Sequence, residues 1–128
     1  MRVSLTEEPI DLNEVVKISD SDSKAILISV GRSRKFSEQD TVQAVFYETY
    51  DEIARKILEN LLIDATERFH LSDAVIVHRF GKIPLGDPAF VVAVYAQRQE
   101  DAFQACKFIV EEMVSELPVW KYETRAIR

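Results

Sequence analysis

The run Ala89–Tyr95 (AFVVAVY) constrains this chain more than any other feature. It is too short for a membrane span and offers water almost no polar group on either side of an extended backbone. A strand built from it must therefore be covered on both faces. Ala74–His78 (AVIVH) is a second buried-strand candidate, joined to the first by RFGKIPLGDP, a segment rich in turn residues. Lys24–Gly31 (KAILISVG) is an apolar run of strand length that ends at a glycine. Thr41–Tyr47 (TVQAVFY) alternates, with Val42, Ala44 and Phe46 opposed to Thr41, Gln43 and Val45. The polar loop RSRKFSEQD, Arg32 to Asp40, connects these last two runs.

Two segments have helical periodicity. In Asp51–Phe69, Ile53, Ile57, Leu58, Leu61, Leu62 and Ala65 recur at spacings that make one apolar stripe. In Gln99–Leu117 the stripe is Phe103, Cys106, Val110, Met113, Val114 and Leu117. Pro118 stops this helix, since proline disfavours helical geometry in the residue before it and lacks the donor needed to continue. Val119–Glu123 then reads as a closing strand. Near the start, a short strand at Arg2–Leu5 precedes a brief helix that Asp11 can cap and that runs to Val16. The order β-α-β-β-α-β-β-α-β predicts an α+β domain with a mainly antiparallel sheet and two long amphipathic helices. At 128 residues, with no repeat and no linker, residues 1–128 form a single domain.

Composition narrows the function. A net charge of −6 argues against non-specific binding to nucleic acid or to an anionic membrane. No run of apolar residues is long enough to span a bilayer. The first residues, MRVSLTEEPIDLNEVV, carry acids where a secretory signal needs a basic start and an apolar core, so a cytoplasmic location is expected. The lone Cys106 cannot form an internal disulfide, and its place on a helical stripe makes it an inert packing group. His70 and His78 lie eight apart without metal-ligand spacing, and Gly31, Gly81 and Gly86 form no phosphate loop. Neither a metal nor a cofactor is therefore expected.

The basic residues are unevenly placed. They gather at Arg32, Arg34 and Lys35, at His78-Arg79 with Lys82, at Arg98 and at Lys121, all near the ends of predicted elements. A fold that brings them together makes a pocket for a small anion; a fold that does not leaves them as solubilising charges. His78-Arg79 ends an apolar strand, where local hydrogen bonds could equally satisfy both side chains. Lys121 adjoins Trp120, and a lysine partly desolvated by an aromatic neighbour is suited to act as base or nucleophile. An aliphatic stem laid on the indole is the plainer alternative.

Several segments, in order, resemble one family. Gly31-Arg32-Ser33-Arg34 resembles a G-x-V-R turn, and Phe46-Tyr47-Glu48-Thr49-Tyr50 resembles L-x-Y-E-x-Y. Val77-His78-Arg79-Phe80-Gly81 with Gly86-Asp87 resembles V-H-R-x-G…G-[ED]. Gln97-Arg98 with Ala102-Phe103-Gln104-Ala105-Cys106 resembles H-R-x-x-A-F-x-A-C with one extra residue, and Pro118-Val119-Trp120-Lys121 resembles P-[IF]-W-K. These motifs, spread from Ala25 to Glu123, are those of the large subunit of molybdopterin synthase. The resemblance implies an α/β-hammerhead fold and a homodimer of large subunits within a heterotetramer. A ubiquitin-like small subunit would deliver sulfur as a thiocarboxylate on its C-terminal Gly-Gly tail. The acceptor would be cyclic pyranopterin monophosphate, which becomes molybdopterin for molybdenum cofactor biosynthesis. By position, Lys121 would be catalytic, and Arg34, Gln97, Arg98, His78 and Arg79 would bind substrate.

Two departures stand out. The family's histidine before Arg98 is Gln97, which cannot exchange a proton near neutral pH. The family also has a key lysine seven residues before the W-K lysine, and here that position is Val114. Ordinary packing on the helical stripe would account for a valine there. A working sulfurtransferase and a non-catalytic, dimeric ligand- or small-subunit-binding relative are thus both open at the level of sequence.

Overall fold

The computed structural model describes residues 1–16, 22–38 and 41–125. Asp20, within the acidic N-terminal stretch, and Gln39-Asp40, at the end of the predicted loop, lie outside the described residues. The elements are β1 (Arg2–Thr6), α1 (Leu12–Val16), β2 (Ala25–Arg32), β3 (Val42–Glu48), α2 (Asp51–Phe69) and β4 (Leu71–Arg79). They continue with β5 (Gly81–Pro84), β6 (Pro88–Ala96), α3 (Gln99–Glu116) and β7 (Trp120–Arg125). The order expected from sequence is present with one addition. The turn-rich segment after Arg79 contains the short strand β5, which proline and glycine on either side obscure in the sequence.

The strands divide between two sheets, one ordered β1-β4-β6-β2 and the other β5-β3-β7. All pairings are antiparallel except β1 with β4. In the larger sheet, β4 and β6 are central, and the demand for cover on both faces is met as their composition requires. Even-numbered residues, among them Ala74, Ile76, Val92 and Val94, face α2 and α3 in the main core. Odd-numbered Val75, Val77, Val91, Ala93 and Tyr95 form a second cluster with Val15 of α1. Helix α2 lies over β4 and β1, while α3 lies over β6 and β2.

The two long helices meet along a different line from the one that the large apolar residues suggest. Their buried positions are Ala54, Leu58, Leu61, Leu62 and Ala65 in α2, and Ala102, Ala105, Cys106, Ile109 and Met113 in α3. The alanines allow close approach of helix to helix and helix to sheet, so they take the centre of the seam. Ile53, Phe103 and Val114 are rotated out of it, at 52%, 59% and 69% exposure. Packing therefore does not account for Val114. In β3 the ladder is irregular between Val42 and Ala44. After this bulge Val45 and Tyr47 are the buried residues, while Phe46 stacks on Tyr122, ring centroids 4.9 Å apart. No helix among the described residues is long and apolar enough to cross a membrane.

Gly31 sits opposite Phe90 across β2 and β6. A Cβ at Gly31 would fall 2.0 Å from the Phe90 ring, so this strand end has room for glycine alone. Gly31→Ala is expected to lower stability by about 1–3 kcal/mol through overpacking. Urea unfolding reads this directly, and an unchanged midpoint would show that the Phe90 ring swings aside freely.

Candidate active site

An open cleft of about 1290 Å³ lies where β2, β4 and β6 run out beside the end of α3 and the start of β7. One wall is the segment after Gly31, and hydrogen bonds fix it to the turn before β6. Ser33 N–H donates to Asp87 O at 2.8 Å, and Gly86 N–H donates back to Ser33 O at 2.8 Å. Arg32 Nε donates to Gly86 O, also at 2.8 Å. Gly86 has φ +92°, and a Cβ there would meet Arg32 Nη2 at 3.0 Å, so glycine serves both the turn and the close approach. Farther along the loop, Glu123 Oε2 accepts from Phe36 N–H at 2.8 Å and Ser37 N–H at 3.1 Å. The carboxylate thus ties the loop to β7.

Among the described residues, the charged side chains lining the cleft are Arg32, Arg34, Lys35 and Lys121, with no Asp or Glu. In a chain of net charge −6 this is a local reversal of sign. Lys121 pairs with Tyr47 across β7 and β3, and its ammonium stands 5.2 Å from the centre of the Tyr47 ring. The aromatic partner of Lys121 is thus Tyr47 rather than its sequence neighbour. Alternation turns Trp120 to the other face of β7, where it meets Tyr50 edge-on.

His78 closes the deep end. It pairs with Phe90 across β4 and β6, is 5% exposed, and stacks on Phe80 with ring centroids 4.4 Å apart. Its Nδ1 lies 3.0 Å from Arg79 O. A carbonyl only accepts, so Nδ1 carries the proton and Nε2 presents a lone pair. Burial, opposed by the Arg79 carbonyl and aided by the nearby positive charge of Lys121, lowers the imidazole to about 4 from 6.5.

The structure brings Arg34, His78 and Lys121 to one cleft, and adds Arg32, Lys35 and Tyr47. The basic cluster after Gly31 signals the first two of these additions in the sequence. Tyr47 becomes visible only once β3 and β7 are in register. Arg79 is drawn elsewhere. It is buried, its Nη1 is 3.2 Å from Asp87 Oδ2, and its other nitrogens donate to Lys82 O and Glu7 O. Its guanidinium braces the same turn that holds Arg32.

Gln97 and Arg98 lie outside the cleft. Gln97 Nε2 donates to Asp22 O at 2.9 Å, and Arg98 pairs with Glu100 at 3.1 Å on the surface. Arg98 is the N-cap of α3, whereas the cleft lies at that helix's C-terminal end. The sixteen residues from Arg98 to Val114 put them roughly 24 Å apart. Val114 itself lines the cleft. Cys106 is buried at the seam, where burial pushes its thiol up and keeps it from acting as a thiolate.

A family model described as MoaE protein matches residues 5–116. The chain belongs to this family. A molybdopterin synthase catalytic subunit from Pyrococcus abyssi is 37% identical over 125 residues, covering 95% of this chain and 84% of that protein. One from Thermoplasma volcanium is 30% identical over 120 residues, covering 93% and 88%. Among solved structures, the molybdopterin cofactor biosynthesis protein E of Burkholderia multivorans superposes with a TM-score of 0.84 at 32% identity, over 97% of this chain and 87% of that one. Molybdopterin synthase from Staphylococcus aureus gives a TM-score of 0.86 at 24% identity, covering 96% and 90%. The mixed α+β architecture expected from the sequence is thus the architecture of MoaE structures.

The burial of His78 gives this MoaE-family chain a pH signature. Its folded value lies below its unfolded one, so between about pH 4 and 6.5 the unfolded chain holds more proton. Stability from this group is intact above pH 6.5 and falls as pH drops through that window, by roughly 3 kcal/mol in full. Urea unfolding at pH 7 and 4.5 should show a loss that His78→Phe reduces. Parallel losses in the two proteins would remove His78 from this account.

Proposed function

We propose that this chain is the large, catalytic subunit of a molybdopterin synthase. It would transfer sulfur from the C-terminal thiocarboxylate of a ubiquitin-like small subunit to cyclic pyranopterin monophosphate. The observation that carries this reading is a cleft in an acidic protein whose charged lining, among the described residues, is all cationic. A cyclic phosphate needs such donors, and the planar fork of arginine matches phosphate oxygens. The relatives named as molybdopterin synthase catalytic subunits support the same reaction. Arg34 would hold the phosphate. Lys121, carried on a strand rather than a loop, would be the catalytic group, acting in binding or proton transfer at the sulfur acceptor.

A small-subunit partner is supported by a structural relative, a complex of subunits 1 and 2 of molybdopterin-converting factor from Helicobacter pylori. At 18% identity and a TM-score of 0.82, that likeness speaks for the shared fold. A homodimer within a heterotetramer goes with the position of Arg98. Across ~24 Å, Gln97 and Arg98 cannot reach their own cleft and could serve one only on a second copy. Edge strand β2 carries Ile26, Ile28 and Val30 on one face, exposed by 47%, 37% and 39%, as suits a surface that another chain covers. A cytoplasmic setting accords with the free Cys106.

A specific observation favours a second reading, a non-catalytic family member that binds ligand or small subunit. Val114 lines the cleft with 69% of its surface exposed and brings no charge or proton to that wall. Reconstitution with a thiocarboxylated small subunit and cyclic pyranopterin monophosphate separates the two. Dithiolene formation is expected, and absence of turnover with a cognate partner would sink the enzyme reading. Lys121→Ala should lower the rate about 100-fold or more; a fully active variant would take Lys121 out of the catalytic set. Since Val114 is exposed, Val114→Lys should fold normally and raise the rate if a cation there is limiting. An unchanged rate would show that Arg32, Arg34, Lys35 and Lys121 suffice.

A further inference from the structure

The geometry points to His78 as a neutral hydrogen-bond acceptor that reads an N–H or O–H donor on the uncharged ring system of the substrate. It would not be one of the cations that hold the phosphate. The inference rests on reading the cleft as a pyranopterin site and assigns one wall of it a separate task. Three observations carry it. His78 Nδ1 is committed to the Arg79 carbonyl, which leaves Nε2 as the lone-pair nitrogen. The ring stacks on Phe80, 4.4 Å away and near-parallel, with Phe90 tilted against it at 6.0 Å, and these contacts constrain its orientation. His78 is only 5% exposed yet lines the cleft, so what its ring presents to solvent it presents there.

The surroundings also oppose protonation. Phe80 stacks on the ring with Phe90 beside it, Lys121 on β7 brings a positive charge nearby, and the described residues of the cleft lining include no carboxylate. Burial holds the imidazole neutral through the physiological range. A fixed acceptor in a cationic cleft discriminates in a way that arginine and lysine cannot, because both of those only donate. The oxygens of a cyclic phosphodiester carry no proton at neutral pH and only accept, so His78 has nothing to offer them. A ring N–H or hydroxyl is its complement, and a ligand that covers the cleft without such a donor takes Nε2 out of water with no partner.

The test has two arms, each read by titration with cyclic pyranopterin monophosphate and separately with dimethyl phosphate, a diester that carries no O–H. His78→Phe keeps an aromatic ring and removes the acceptor; His78→Gln supplies an acceptor oxygen near the position of Nε2. His78→Phe is expected to bind the pyranopterin about 10- to 100-fold more weakly, His78→Gln to recover most of that loss, and both to bind dimethyl phosphate as the wild type does. Equal weakening for dimethyl phosphate and pyranopterin, or none for either, would overturn the assignment.

If the Phe variant does not fold, the wild type decides. Its two histidines are separable in a nitrogen-15 spectrum by comparison with His70→Asn, since asparagine tolerates the left-handed φ of 55° at that helix end. The Nε2 resonance of His78 should be that of an unprotonated nitrogen at pH 7 and move upfield as pyranopterin binds. A wild-type chain that ignores the pyranopterin sinks the parent reading and this one with it. Binding that leaves Nε2 unmoved sinks this one alone.

Discussion

The pairing of β4 with β6 is the constraint on which the rest of the molecule depends. Both strands are apolar on both faces, so the sheet cannot rest one side on water. Helices α2 and α3 answer on one side and α1 on the other. With layers on both faces, an opening can form only where the strands end. The cleft lies there, and the last residues of this ladder, His78 and Phe90, form its floor. The strands thus set the depth of the site, and its charge comes from the end of β2, the loop that leaves it and β7.

Most of the architecture could be read in the sequence because it follows from period and punctuation. The long helices, Pro118 as a stop, and the paired buried runs each have a local cause. The parts that could not be read depend on partners distant in the chain. Strand β5 is four residues bounded by glycine and proline, and it exists because Tyr47 to Ala44 offer it an edge. The placing of Val114 on the buried stripe fails for a related reason. Periodicity counts large apolar side chains, whereas alanine decides where two helices can come closest, and Ala102 and Ala105 draw the seam away from Val114.

The site was legible to a similar degree. Arg34, His78 and Lys121 lie at element ends that the fold brings together, so motif position sufficed for them. Arg79 adjoins His78 in sequence yet points to the other side of β4, into an ion pair with Asp87. Adjacent residues on a strand face opposite ways, and only one of the two can look into a given cleft. Arg98 shows the opposite limit. Its segment matches the family motif apart from Gln97 and one extra residue, yet a helix of 18 residues separates it from the cleft that the same chain builds. Motif position takes no account of that distance.

The same two-residue alternation on β7 has a consequence for how this fold can vary. Lys121 turns toward the cleft, while Trp120 and Tyr122 turn to the outer face, where they meet Tyr50 and Phe46. One strand thus carries two surfaces in interleaved positions. Substitution can alter either surface independently, but inserting or deleting a single residue exchanges them, setting an aromatic ring in the cationic cleft and an ammonium outside. A length change is therefore compatible with both surfaces only beyond the strand. Between Trp120 and Glu123, the spacing of the chain matters as much as its side chains.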